Sequence, residues 1–84
     1  MRKMEFKMER TGLLEVGDCL PVTESKLPYS YFYTLGHAYA MSANYKPSER
    51  LKSTEGTVVE IKETPHGFYV IVEFEEEEQE QDEI

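Results

Sequence analysis

Gly56–Glu75, GTVVEIKETPHGFYVIVEFE, is the stretch on which the fold turns. Its second arm alternates with period two. Phe68, Val70, Val72 and Phe74 share one face, and Tyr69, Ile71, Glu73 and Glu75 share the other. On the first arm Thr57, Val59 and Ile61 point one way, and Val58, Glu60 and Lys62 the other. Such alternation in Val, Ile, Phe and Tyr marks half-buried strands. Between the arms, Thr64-Pro65-His66-Gly67 is turn chemistry: Pro presets φ for a type I turn and Gly takes the left-handed position.

Two registers compete. A three-residue loop, Pro65 to Gly67, places Thr64 opposite Phe68 and leaves Val59 facing Glu73. A four-residue loop, Thr64 to Gly67, pairs Glu63 with Phe68, Ile61 with Val70 and Val59 with Val72. The second gathers the apolar groups on one face. One residue of slip would turn every side chain over, so the hydrophobic pattern outweighs the turn statistics. A bulge further along the arm would reconcile the two.

The chain has 84 residues, enough for one domain with a modest core. Its net charge of −8 is concentrated at one end. Glu75 to Ile84 holds seven acids and no base, which leaves 10 acids against 9 bases in residues 1–74. The expected organisation is a single β-rich domain over 1–75 and a disordered acidic tail over 76–84. Removing that tail is expected to leave the fold intact. One cysteine, Cys19, excludes an intrachain disulfide framework and a thiolate metal cluster. With no signal-like start and no run near the ~18 apolar residues of a membrane span, the expectation is a cytoplasmic protein that does not enter a membrane.

Ahead of the hairpin, Met4-Glu5-Phe6-Lys7-Met8-Glu9 alternates as a first strand. Met4, Phe6 and Met8 point inward, one face is wet, and the strand is expected near an edge. Leu13, Leu14 and Val16 form a connection tucked onto the core. Cys19 to Val22 is a short strand with Leu20 and Val22 inward, and Pro21 places it at an edge or leaves its N–H side free. Thr23 to Pro28 reads as a polar loop. Tyr29 to Tyr33 is compatible with extended chain. Beyond it Leu35, Ala38, Ala40, Met41 and Ala43 favour a helix over about 34–44, capped by Ser30 or Thr34 and opposed by Gly36. Ser48 to Ser53 is a helical turn or the start of a strand, with Leu51 inward.

Three segments, Gly17-Asp18-x-Leu20-x-Val22, Glu55-Gly56-Thr57-Val58-Val59-Glu60-Ile61 and Val70-Ile71-Val72-Glu73-Phe74, resemble the strands of SH3-like small barrels of the KOW type. The expected fold is therefore mainly β (α+β): a small SH3-like barrel, or a strongly bent antiparallel sheet, of four to five strands with one short inserted helix. The resemblance implies binding of RNA, ribosomal partners or peptides, as such barrels commonly do.

Catalytic and metal chemistry find little support in the sequence. Cys19, His37 and His66 are the only residues for a thiol–imidazole pair, and no orienting group accompanies them. Two distant histidines and a run of carboxylates make no ligand spacing. No Gly-rich cluster precedes a helix to cradle phosphate. The expectation is a non-enzymatic protein with no cofactor and no metal.

The aromatic cluster stands above this background. Tyr29, Tyr31, Tyr33, Tyr39 and Tyr45 lie close together in sequence, with Lys46, Arg50 and Lys52 just beyond. Such rings either pack on the barrel with their hydroxyls wet or form a contact surface. Two functions follow. One is a protein–protein interaction module using the Tyr-rich surface. The other is an accessory barrel that binds nucleic acid by stacking on exposed tyrosines beside Lys46, Arg50 and Lys52. The two differ in whether those cations, with Lys62, converge beside exposed rings. Val58, Tyr69 and Ile71 are expected on the outer hairpin face, where a weak homodimer through that face or the adjacent edge would cover them.

Overall fold

The computed structural model describes residues 1–8 and 12–76. Six strands are formed: β1 (Arg2–Met8), β2 (Cys19–Lys26), β3 (Tyr31–Leu35), β4 (Ala40–Ser42), β5 (Glu55–Thr64) and β6 (Gly67–Phe74). All pairings are antiparallel. The order β1-β4-β3-β2-β5-β6 closes on itself where β6 pairs back onto β1. The protein is thus a small, mainly β closed barrel. It has six strands where four to five were expected. Among the described residues the only helical element is a single 3-10 turn, Pro47–Glu49.

Alternation in β1 is strict. Met4, Phe6 and Met8 are buried, while Lys3, Glu5 and Lys7 are exposed. β1 is not an edge strand, because β6 flanks its whole length and β4 its C-terminal half. Phe6, Tyr33, Leu35, Val58, Val70, Val72 and Phe74 fill the interior completely buried, as a barrel of this bore requires. Leu14 seals it from the β1–β2 connection and Leu51 from the stretch before β5, whereas Val16 stays exposed.

The β5–β6 hairpin takes the register chosen by the hydrophobic pattern near its turn: Glu63 faces Phe68 and Ile61 faces Val70. Thr64 pairs with Gly67, whose φ of +137° is a conformation Gly tolerates and β-branched residues do not. A bulge at Val59 then shifts the first arm by one residue, so Val58 and not Val59 faces Val72. That corrects the faces expected for Thr57, Val58 and Val59. Val58 is core, Val59 and Thr57 are half-buried, and Gly56 turns inward.

The expected helix over 34–44 is absent. Tyr31–Leu35 and Ala40–Ser42 are strands joined by a turn at Gly36–Tyr39, with Leu35 paired to Ala40. Gly36 and Ala38 have φ of +59° and +65°, which no right-handed helix accommodates. Burial of Tyr33 and Leu35, and the hydrogen bond from Gly36 N to Pro21 O at 2.8 Å, outweigh the helix propensity of the alanines. β2 also runs on to Lys26, so most of the loop expected over Thr23 to Pro28 is strand. Only residues 27–30 connect β2 to β3, closed by Leu27 N donating to Ser30 O at 2.8 Å.

The disorder expected of the acidic tail falls on residues 77–84, outside the described residues. No helix among the described residues is long and apolar enough to cross a membrane.

Gly56 is where close approach demands glycine. A Cβ there would lie 2.6 Å from both the Phe74 ring and a Val72 methyl. Gly56→Val should therefore cost roughly 1–3 kcal/mol of stability through overpacking. An unchanged urea midpoint would contradict the tight β5–β6 packing described.

Candidate functional site

The five tyrosines do not form one surface. Tyr29 stands at the β2–β3 tip, 90% exposed. Tyr31 is half-buried and exchanges backbone hydrogen bonds with Tyr45, at 2.8 and 2.7 Å. Tyr33, 1% exposed, is part of the core. Its hydroxyl accepts the Leu51 N–H at 2.7 Å and donates to Glu24 Oε2 at 2.9 Å. Burial, with Glu24 adding to it, pushes that hydroxyl up to about 12. Tyr45 is half-buried against Tyr33, with ring centroids 6.1 Å apart, and burial raises its pKa. Tyr39 lies at the other end of the barrel, edge-on to His37.

The cations beside these rings are compensated. Arg50 grips Glu24 in a two-pronged pair, Nε to Oε2 and Nη2 to Oε1, each 2.8 Å. Its guanidinium lies 4.8 Å from the Tyr31 ring centroid. The Arg50 hydrogen bond holds the Glu24 carboxyl below its ordinary range, against the opposing effect of burial, and Glu24 in turn raises Arg50. Lys62 has Glu5 at 3.8 Å. Lys46 and Lys52 are exposed. Of these cations Arg50 lies against a ring, Tyr31, and is paired to Glu24, while Lys62 faces Glu5. Tyr33, Arg50 and Lys52 line a shallow groove of about 490 Å³ whose mouth holds the Arg50–Glu24 pair.

A second charged cluster closes this end of the barrel. Arg2 is only 5% exposed. It donates to Glu49 O at 2.6 Å, Arg50 O at 3.4 Å and Glu76 Oε2 at 3.2 Å, and lies 5.7 Å from the Tyr45 ring centroid. Glu76 Oε1 accepts the N–H groups of Lys52 and Ser53 and the Ser53 hydroxyl, at 3.0, 2.8 and 2.7 Å. The residue expected to begin a free tail is therefore docked.

The larger concavity is at the opposite end. β1 lies between β4 and β6, so Met8 faces Ala40 on one side and Phe68 on the other. The Gly36–Tyr39 and Pro65–His66 turns consequently flank the end of β1 and enclose a cleft of about 780 Å³. Met8, Tyr39, Met41 and Phe68 supply apolar lining, with Met41 46% exposed. Lys7 and His66 supply positive or titratable nitrogen, and no carboxylate lines the cleft among the described residues. Of the candidate binding residues read from the sequence only Tyr39 belongs here, beside His66, which the sequence offers only for a thiol–imidazole pair. Met8 and Phe68 read as ordinary core positions, and Met41 was hidden by the helical reading of 34–44.

Cys19 is exposed on β2. Among the described residues no group of three His, Cys, Asp or Glu side chains is arranged to hold a metal ion. No family model matches this chain, and comparison with curated proteins and with solved structures returns no significant match.

The Glu76 contacts carry a pH dependence. Burial pulls its carboxyl upward, but the Ser53 hydroxyl, the Lys52 amide, Arg2 and the Ser53 amide outweigh it and hold the pKa below the ordinary 4.5. A depressed carboxyl stabilises the fold above its unfolded value, and that contribution is lost as pH falls from 4.5 through the folded value. Wild-type stability should therefore fall more steeply over this acid range than that of Glu76→Gln, which lacks the titrating group. Equal slopes in urea denaturation against pH would contradict the docked carboxylate.

Proposed function

We propose that this barrel is a non-enzymatic protein-interaction module whose contact site is the cleft between the β3–β4 and β5–β6 turns. The observation that carries this reading is the convergence of Met8, Tyr39, Met41 and Phe68 in one concave site without a carboxylate, on a chain of net charge −8. Half-exposed aromatic and methionine side chains in a concave site suit an apolar segment of a partner, since Met adapts its shape and aromatic rings lose little entropy on contact. Lys7 and His66 would favour an acidic residue within that segment. Binding is favoured over Ser–His chemistry because the Ser42 hydroxyl is committed to Ala43 O and to the Tyr33 N–H rather than held as a partner of His66. The small closed barrel accords with the resemblance to SH3-like barrels, which serve as binding platforms; that support is by analogy of fold.

The nucleic-acid reading draws on Tyr29, Tyr31, Lys46 and Lys52. It is less favoured because Arg50 already stacks on Tyr31 and is neutralised by Glu24, with Glu49 and Glu76 nearby. Backbone-tracking grooves for single strands need net positive charge.

Peptides selected from a random display library should perturb the amide resonances of Tyr39, Met41 and Phe68. Met41→Lys should weaken them by about tenfold or more, the loss expected for truncating a central apolar contact. Perturbation confined to Tyr29 and Tyr31, or salt-sensitive binding of a single-stranded oligonucleotide there, would move the function to the other end of the barrel.

A further inference from the structure

β5 is longer than the barrel needs. β2 covers only its first part, with Cys19, Leu20 and Pro21 opposite Thr57, Gly56 and Glu55. Val58 completes that side by donating to Asp18 O and accepting from Gly17 N, both at 2.8 Å. After the bulge at Val59, the arm from Glu60 to Thr64 pairs with β6 alone among the described residues. Glu60, Ile61, Lys62 and Glu63 are all exposed. Ile61 is 40% exposed although its cross-strand partner Val70 is fully buried. An unpaired strand edge carrying a large apolar side chain is a template for another strand.

The direction of the free backbone groups follows from the turn. Thr64 and Gly67 close a two-residue loop, so Thr64, Lys62 and Glu60 turn their N–H and C=O groups toward β6. Ile61 and Glu63 turn theirs outward. A strand seated on this edge would thus exchange both of its hydrogen bonds with Ile61.

We infer that the occupant is a second copy of this chain, paired antiparallel through β5 about a two-fold axis at Ile61. A two-fold axis normal to a continuous sheet must pass through one residue position, because opposed side chains share a face. With Ile61 on the axis, Ile61 meets its symmetry mate, and Glu60 meets Lys62 of the other copy, twice. Every other centre on the arm loses this match. Glu60 or Glu63 on the axis opposes two carboxylates, and Lys62 opposes two ammonium groups. Lysine on an exposed edge ordinarily guards against pairing. Here a glutamate two positions away converts the guard into a selector for one register. This inference does not rest on the cleft. Of the two dimer surfaces the sequence suggested, the outer hairpin face and the adjacent edge, it takes the edge, since Val58 is buried in the core and does not contribute to the face.

Sedimentation of the full chain across the micromolar range should show a concentration-dependent dimer. Ile61→Lys should abolish it. Glu60→Lys alone, or Lys62→Glu alone, should raise the dissociation constant by about tenfold or more, since like charges then face each other twice. Mixing those two single variants should restore association as a heterodimer, because each then presents the charges that the other lacks. That arm also guards against misfolding, since unfolded variants would not recover on mixing. A wild type that stays monomeric, a dimer indifferent to all three substitutions, or a mixture that fails to recover would overturn the inference.

Discussion

One buried charge closes this barrel where strand pairing does not. β1 has β6 along its whole length, but β4 reaches only as far as Phe6. Between the start of β1 and the segment that precedes β5 there is no ladder, and Arg2 fills the gap. Its Nη2 donates to the Glu49 carbonyl, and its Nη1 to both the Arg50 carbonyl and Glu76 Oε2. Glu76 then ties down Lys52 and Ser53, and Leu51 is delivered into the core beside the Tyr33 hydroxyl. A guanidinium suits this role because it remains charged and spreads its donors over a planar fork. Removing one partner of such a pair strands the other without water, at about 3–5 kcal/mol.

The two ends of the barrel therefore differ in kind. One end is sealed by ion pairs and by Tyr33, Tyr45 and Leu51, and its side chains are largely committed to one another. The other ends in turns. There Tyr39, Met41 and Phe68 keep apolar surface in reach of solvent, and the overhanging arm of β5 pairs with β6 alone among the described residues. The cleft proposed as a contact site and the strand edge inferred to pair both lie away from the clasp, where fewer groups are already committed to one another. Of the tyrosines most conspicuous in the sequence, Tyr33 is core and Tyr31 and Tyr45 are half-buried, while Tyr29 is exposed at the β2–β3 tip.

How much of this was legible in the sequence depended on the distance over which each feature is decided. The alternation of Met4, Phe6 and Met8, the Thr64–Gly67 turn and the pairing of Ile61 with Val70 are local, and all were readable. The bulge at Val59 was not, because Val58 and Val59 are equally apolar and only β2, through Asp18 and Gly17, selects between them. The region 34–44 misled because Ala and Met favour helices, whereas the deciding facts are the left-handed backbone at Gly36 and Ala38 and the room for Tyr33 and Leu35 inside the barrel. Arg2 and Glu76 are separated by 74 positions, and Glu76 belongs to a segment that reads as a free tail. The cleft was invisible for the same reason: it exists only once β1 lies between β4 and β6.

The central claim is that Arg2 and Glu76 act as one unit, and a double-mutant cycle tests it most directly. Urea denaturation of wild type, Arg2→Met, Glu76→Gln and the double variant, at neutral pH, gives their coupling energy. Each single substitution leaves the other group without its partner, so the double variant should lose less than the two losses combined. A coupling of about 1–3 kcal/mol is predicted. Additivity within about 0.5 kcal/mol would mean that the two residues stabilise the barrel independently, and that its closure does not depend on the clasp.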